Sequence, residues 1–305
     1  MTESMPRRRA VMARALASIT VGFVASGALM HAQQPAPGSA RLAAPIDLTG
    51  TWVSVVTEDW RFRMVTPPKG DFASVPLNPA GRVMVDSWDL AKDEAAGEQC
   101  KAYGAAGLLR LPGRVRFTWE NDNALRLETD AGTQTRILAF GKPQPVTERT
   151  WQGQSVASWE GLSQRGGPAG PVGGGFIPGG APGGGPAVGA PPAGGRGAAP
   201  GGGRGGPPGG GRGAIGAGDS LKVVTTQLRA GYLRKNGVPY SEDTLLTEYF
   251  NRFNESNGDQ WFVVTTVVDD PKYLNQPFVT STHFKKEADG AKWSPSPCHT
   301  DPPGK

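Results

Sequence analysis

Ser155-Val156-Ala157-Ser158-Trp159-Glu160-Gly161 and Asp219-Ser220-Leu221-Lys222-Val223-Val224-Thr225-Thr226 are the two stretches whose reading decides the fold. The first reads as a strand running into a turn, the second as a turn running into a strand. Between them, Gly166–Gly218 holds 26 Gly, 10 Pro, three Arg and no acid in 53 residues. Removing that tract joins Trp-Glu-Gly to Asp-Ser-Leu-Lys-Val-Val, an ordinary hairpin with acidic and Gly turn residues. The tract therefore interrupts one turn of a β domain and does not divide two domains. With so few side chains to bury it cannot offset the entropy of ordering, and a disordered loop is expected over 166–218. Arg196, Arg204 and Arg212 open a weak octapeptide repeat that lacks the Gly-X-Y period of collagen.

Strand patterns continue on both sides of this hairpin. Upstream, Ile46–Val56 opens the ordered region, and Trp60, Phe62 and Met64 alternate with Arg61 and Arg63, which predicts a strand. Asn78-Pro79 suits an N-cap followed by a first helical position and predicts one main helix from Pro79 to about Ala96, with Val83, Leu90 and Trp88 facing the core. Val115, Phe117 and Trp119 then alternate with Arg114, Arg116 and Thr118, and Leu125 and Leu127 with Arg126 and Glu128. Gln134–Phe140, Gln154–Trp159, Leu221–Leu228, Leu245–Phe253, Trp261–Val268 and Phe278–Lys286 complete the set. About ten strands joined by short turns predict a mainly β fold, an antiparallel meander closed into a barrel, because closure removes exposed edges. Trp261–Val268 is apolar on both faces, so its outer side calls for cover from the Pro79 helix or from a second copy in a homodimer.

Residues 1–32 read as a signal peptide: Arg7-Arg8-Arg9 and Arg14, then an apolar run from Ala15 to Leu29, then small residues, with cleavage expected after Ala32 and, as second choice, after Ala28. Arg8-Arg9-Ala10-Val11-Met12 leaves both the general and the twin-arginine export routes open. The expected location is periplasmic or secreted. Residues 33–45 are Pro/Ala-rich and expected to be disordered, 46–165 with 219–298 form the single domain, and 299–305 are a tail. No later segment is apolar for about 18 residues, so no membrane anchor is expected after cleavage.

The formal net charge of +5 is uneven. The leader holds four Arg and one Glu (+3) and the insert three Arg (+3), which leaves the remainder near −1. A nucleic-acid partner needs a concentrated basic face, so none is expected. Cys100 and Cys298 are the only cysteines. An oxidising compartment favours a disulfide between them over buried free thiols, and with His283 and His299 they show no metal-ligand spacing.

Gly50-Thr51-Trp52 at the first strand resembles the Gly-x-Trp signature of lipocalins, which implies a lipocalin-like barrel with Trp52 packed across its closed end; core packing of Trp52 is expected in either case. A longer resemblance rests on Asp47-Leu48-Thr49-Gly50-Thr51-Trp52, Gly97-Glu98-Gln99-Cys100, Thr129-Asp130-Ala131-Gly132-Thr133-Gln134-Thr135-Arg136 and Trp151 to Gly161. Tyr240-Ser241-Glu242, Thr247-Glu248-Tyr249-Phe250 and Asp269-Asp270-Pro271 to Phe278 extend it. These segments resemble a set of secreted bacterial β-rich proteins of unassigned function, in which the turn after Trp-Glu-Gly is usually short. That resemblance implies compartment and fold and carries no activity.

Catalytic motifs are thin: there is no Gly-x-Ser-x-Gly elbow, no His-Glu-x-x-His, no phosphate loop and no dinucleotide fingerprint, and no cofactor is expected. Glu248 and Arg252 share one strand face with Leu246 and Phe250; inward they would be a buried ion pair or orient a ligand, outward they would be surface charges. One reading is a binder of a small hydrophobic or aromatic ligand, with Trp60, Phe62, Trp119, Glu248, Phe250 and Trp261 lining the barrel. A second is a cofactor-independent enzyme in the same barrel, with Glu248 or Asp59 as general base and His283 nearby. A third is a structural or partner-binding envelope protein.

Overall fold

The computed structural model describes residues 38–142, 145–160, 220–299 and 302–303. The expected signal peptide and the 166–218 insert lie outside the described residues. The elements in chain order are β1 (Gly50–Val55), α1 (Trp60–Arg63), α2 (Pro79–Ser87), α3 (Leu90–Ala95), a 3-10 turn (Gln99–Tyr103) and α4 (Ala105–Leu108). They continue with β2 (Arg114–Asn121), β3 (Ala124–Thr129), β4 (Thr135–Phe140), β5 (Gln154–Glu160), β6 (Ser220–Thr226), β7 (Gly231–Arg234) and β8 (Val238–Tyr240). The last three are β9 (Leu245–Asn254), β10 (Gln260–Asp269) and β11 (Phe278–Lys286).

Nine strands close a barrel in the order β1-β11-β10-β9-β6-β5-β4-β3-β2, and β7 with β8 forms a separate hairpin. Alternation built this wall: in β2 the buried Val115 and Phe117 are separated by the less buried Arg116 and Thr118, and in β10 Phe262, Val264, Thr266 and Val268 all turn inward. One neighbour pair departs from a plain meander. β4 and β5 run parallel, Leu138 opposite Ser155 and Phe140 opposite Ala157. A parallel step needs a long return connection, and the chain from 141 to 153 makes it.

The interrupted hairpin is present. β5 and β6 pair antiparallel from Gln154 opposite Thr226 to Glu160 opposite Ser220, so the ladder continues to the last described residue on each side of the gap. Excising Gly166–Gly218 leaves 161–165 and 219 to close that turn. Loop-closure entropy rises by about 0.6 kcal/mol per doubling of length, so a roughly tenfold shorter loop is expected to stabilise by up to about 2 kcal/mol. The excised protein should melt at or above the temperature of the intact one in a thermal scan. Loss of folding on excision would mean that the two flanks are separate domains.

The barrel is packed with side chains. Phe262 sits at its centre, edge-on to Trp52 at 5.0 Å and stacked on Phe284 at 4.6 Å, with the Phe117 and Phe250 rings 5.8 and 6.0 Å away. Each such pair adds about 0.5–1.5 kcal/mol beyond the burial of its area. Trp52 is fully buried and its indole N–H donates to Leu48 O at 2.8 Å, in line with its expected core position. A second apolar cluster, including Val85, Leu228, Val238, Tyr240, Leu246 and Val268, lies under the helices and the β7–β8 hairpin.

Two local expectations change. Trp60, Phe62 and Met64 do not form a strand: Asp59 adopts a left-handed conformation (φ 50°) and starts the four-residue α1, which leaves Trp60 66 % exposed. The single helix over 79–96 is two. Asn78 caps α2 through Gly81 N, the chain breaks at Trp88, and Asp89 caps α3 by accepting from Ala91 N and Lys92 N. Val85 and Trp88 face the core, whereas Val83 is 65 % exposed. Trp88 packs on Gly237, where any Cβ would stand 2.1 Å from its ring, so the indole docks there at the cost of helical continuity.

Cys100 and Cys298 form a disulfide with a Cα–Cα distance of 5.2 Å across 198 positions of sequence. It fastens the C-terminal segment to the 3-10 turn, where Tyr103 also donates to His299 O at 2.9 Å and Ser296 N donates to Asp130 O at 2.9 Å. Among the described residues no helix is long and apolar enough to cross a membrane.

Candidate functional site

The residues expected to line one cavity are spread over the molecule. Glu248 and Phe250 do point into the barrel, as the face shared with Leu246 requires. Glu248 pairs there with Arg136 of β4 and not with Arg252. The Arg136 guanidinium donates from Nη1 to Oε1 at 3.0 Å and from Nη2 to Oε2 at 2.6 Å, and Nη2 also reaches Ser155 Oγ and Thr225 Oγ1. These side chains are 1 % and 0 % exposed, so Glu248 is a structural member of the core with no approach from solvent. Trp261 lies half-buried on the outer side, under Lys285 Nζ at 5.7 Å. Trp60 projects from α1, and Phe62 is half-buried against the guanidiniums of Arg61 and Arg234.

Of the acid/base candidates, Glu248 is apart from the other two. His283 is on the outer side of β11 with Nδ1 3.2 Å from Glu58 Oε2. Burial raises the Glu58 carboxyl, but the Thr57 hydroxyl, Arg63 and His283 outweigh it and hold the group below the usual carboxylate range. Thr57 Oγ1 donates to the same Glu58 oxygen at 2.7 Å and lies 3.4 Å from the same His283 nitrogen. Because hydroxyl and carboxylate share one ring nitrogen, the three do not form a proton relay in which the acid orients the far side of the ring. Asp59 binds Arg110 Nη2 at 2.5 Å. Glu248, inside the wall, does not join Asp59 and His283 outside it. Among the described residues no group of three or more His, Cys, Asp or Glu could hold a metal ion.

Two of the expected ligand-lining set border sizeable concave sites: Trp261 lines one of 440 Å³ on the outer side with Thr57 and His283, and Trp119 lines a larger one at one mouth of the barrel. The segment 38–49 runs across this mouth. Arg41 N donates to Asp122 O at 3.0 Å, Ala40 N to Asn123 Oδ1 at 2.9 Å, and the Trp159 indole N–H to Ala40 O at 2.8 Å. Residues 38–45, expected as a loose N-terminus, are thus tied to the rim, while 33–37 lie outside the described residues. Between this strap and the strand ends is a pocket of 540 Å³ lined by Ile46, Leu48, Trp119, Leu125, Trp159 and Arg252, among others. That volume falls within the usual 300–1,000 Å³ of a small-molecule site.

One wall is aromatic. Trp119 of β2 and Trp159 of β5 supply its rings, and Phe140 of β4, outside the lining, joins them, 5.8 Å from Trp119 and 5.1 Å from Trp159. The polar part comes from Arg41, Asp47, Thr49 and Arg252, and the buried Nε of Arg252 has no hydrogen-bond partner among the described residues. Nearby, burial raises the Asp47 carboxyl, but the side-chain and backbone hydrogen bonds of Thr49, with Lys286 and Arg252, outweigh it and hold the group below the usual range. Asp47 is therefore an anion committed to Thr49, accepting from its N and Oγ1 at 2.9 and 2.7 Å. Such a site offers two indole faces in a largely polar lining, with one guanidinium donor unmet among the described residues. The sequence pattern marks Phe140 and Trp159 as strand residues but not as site residues, and it predicts order in the strap only from Ile46.

Comparison of the chain with protein-family models, with curated proteins and with solved structures returned no match.

Proposed function

We propose that the protein is a periplasmic or secreted binder of a small aromatic or apolar carboxylate, held at the barrel mouth and not in the barrel interior. The observation that carries this reading is the conjunction, in one 540 Å³ pocket, of the Trp119 and Trp159 walls with Arg252, whose buried Nε lacks a hydrogen-bond partner among the described residues. A guanidinium in that state is completed by a carboxylate, and the flat wall favours a planar body. The interior cannot serve, since Trp52, four Phe rings and the Arg136–Glu248 pair fill it. The disulfide and the basic, apolar N-terminal leader support an oxidising compartment outside the cytoplasm.

The reading is tested by mass spectrometry of ligands recovered from protein purified out of the periplasm. Intact protein should carry an organic acid that a Trp119→Ala/Arg252→Gln double variant fails to retain. Repeated recovery of no ligand, with no thermal shift across a panel of aromatic and fatty acids, would refute it.

A further inference from the structure

A second site, unconnected with the mouth, lies at the Val55 end of β1 and the Phe278 end of β11. Four arginines meet there: Arg61, Arg63, Arg110 and Arg234. Three are matched. Arg61 binds Asp71 at 2.6 Å, and Arg110 binds Asp59 at 2.5 Å and Ser281 O at 3.2 Å. Arg63 binds Glu58 Oε1 at 2.5 Å, Ser54 Oγ at 2.9 Å and Arg110 O at 2.8 Å. Those bonds commit the nearby carboxylates Glu58, Asp59 and Asp71.

Arg234 is the exception. It is 7 % exposed, its guanidinium carbon stands 4.0 Å over the Phe62 ring, and both of its Nη atoms are buried with no hydrogen-bond partner among the described residues. Burial pushes it down to about 10; Asp59 and Asp71 pull it up, and Arg110 and Arg61 push it further down. The ring face attracts the cation but offers no lone pair to either N–H. A buried cation with unmet donors costs several kcal/mol unless an anion completes it. Arg234 borders a narrow cleft of 20 Å³ shared with Phe62, Arg63, Arg110, Leu233 and Phe278. That space admits a group the size of one or two waters.

The geometry points to a binding site for one small planar anion, a carboxylate head group, held end-on by the two Nη atoms of Arg234 against the Phe62 ring. A guanidinium edge matches the two oxygens of a carboxylate, and the cleft is too small for a tetrahedral anion such as phosphate. A water could fill the space and accept one hydrogen bond, but it brings no charge, and Asp59 and Asp71, the carboxylates that act on Arg234, are already bound to Arg110 and Arg61.

The test is the melting temperature of the whole protein against sodium formate, with sodium methanesulfonate at equal concentration as the reference salt. Formate should raise the melting temperature by about 4 °C at ten times its dissociation constant, and methanesulfonate should not. Arg234→Gln should abolish the difference, whereas Arg252→Gln, at the mouth, should keep it. Loss of the formate effect in Arg252→Gln with its retention in Arg234→Gln would place the anion at the mouth and overturn the inference. So would equal effects of the two salts on the unaltered protein. Should Arg234→Gln fail to fold, [15N]arginine spectra of the unaltered protein decide. One buried guanidinium should shift saturably with formate and not with phosphate, and no shift would count against the site.

Discussion

Replacing Glu248 with alanine is expected to destabilise the protein by about 3–5 kcal/mol, among the largest effects of any single substitution in it. The variant removes both acceptors of a bidentate pair whose partner, Arg136, has no other carboxylate within ion-pair distance among the described residues. Ser155 Oγ and Thr225 Oγ1 would remain, 3.3 and 3.1 Å from Arg136 Nη2, but hydroxyls do not compensate a buried charge. The cost is that of a stranded cation and not the net worth of the pair. The double replacement Arg136→Met/Glu248→Leu, which removes both charges, should therefore lie much closer to the parent. Urea unfolding with an unchanged m-value measures both. A single-variant cost below about 1 kcal/mol, or a double variant equal to the sum of the singles, would contradict the assignment.

Removing the disulfide is expected to cost about 2–5 kcal/mol, in Cys100→Ser/Cys298→Ser or on reduction. The 198-position separation sets the upper figure, because a long loop loses much closure entropy in the unfolded chain. The folded state should lose order first in the C-terminal segment, whose other ties include Tyr103 to His299 O, Thr133 to Ser296 O, Ser296 N to Asp130 O and Arg116 over Trp293. Urea midpoints with and without reductant test the magnitude, and hydrogen exchange around 290–299 tests the location. A midpoint indifferent to reductant would show that the bridge does not form.

The strands were legible because a half-buried wall leaves a period of two: Val115 and Phe117, Leu125 and Leu127, Phe262 and Val264 each mark one inward face. The splice was legible for the same reason, since Glu160 and Ser220 are partners in the ladder. Where alternation misled, the chain had left the sheet. Trp60, Phe62 and Met64 keep a period of two, but the turn at Asp59 puts them on a short helix, where the buried side chain is Arg63. Arg136 was hidden by the opposite inversion: in Thr135-Arg136-Ile137-Leu138 the cation turns inward with Leu138 and Ile137 turns out to solvent. Its partnership with Glu248 joins strands 112 positions apart, a distance that local patterning does not carry. Of the candidate site, Trp119 and Arg252 stood in readable strands. Trp159 stood in one as well, and the strap from 38 to 45 joined them only through contacts made on closure of the barrel.

The central claim, that the mouth binds an aromatic carboxylate through Arg252, is tested most directly by calorimetric titration with 1-naphthoate and its neutral analogue 1-naphthamide. The expected result is saturable one-to-one binding of naphthoate, weakened about tenfold or more by the neutral carboxamide, by Arg252→Gln and by Trp119→Ala. Absence of naphthoate binding, or equal affinity for acid and amide in the parent and in Arg252→Gln, would contradict it.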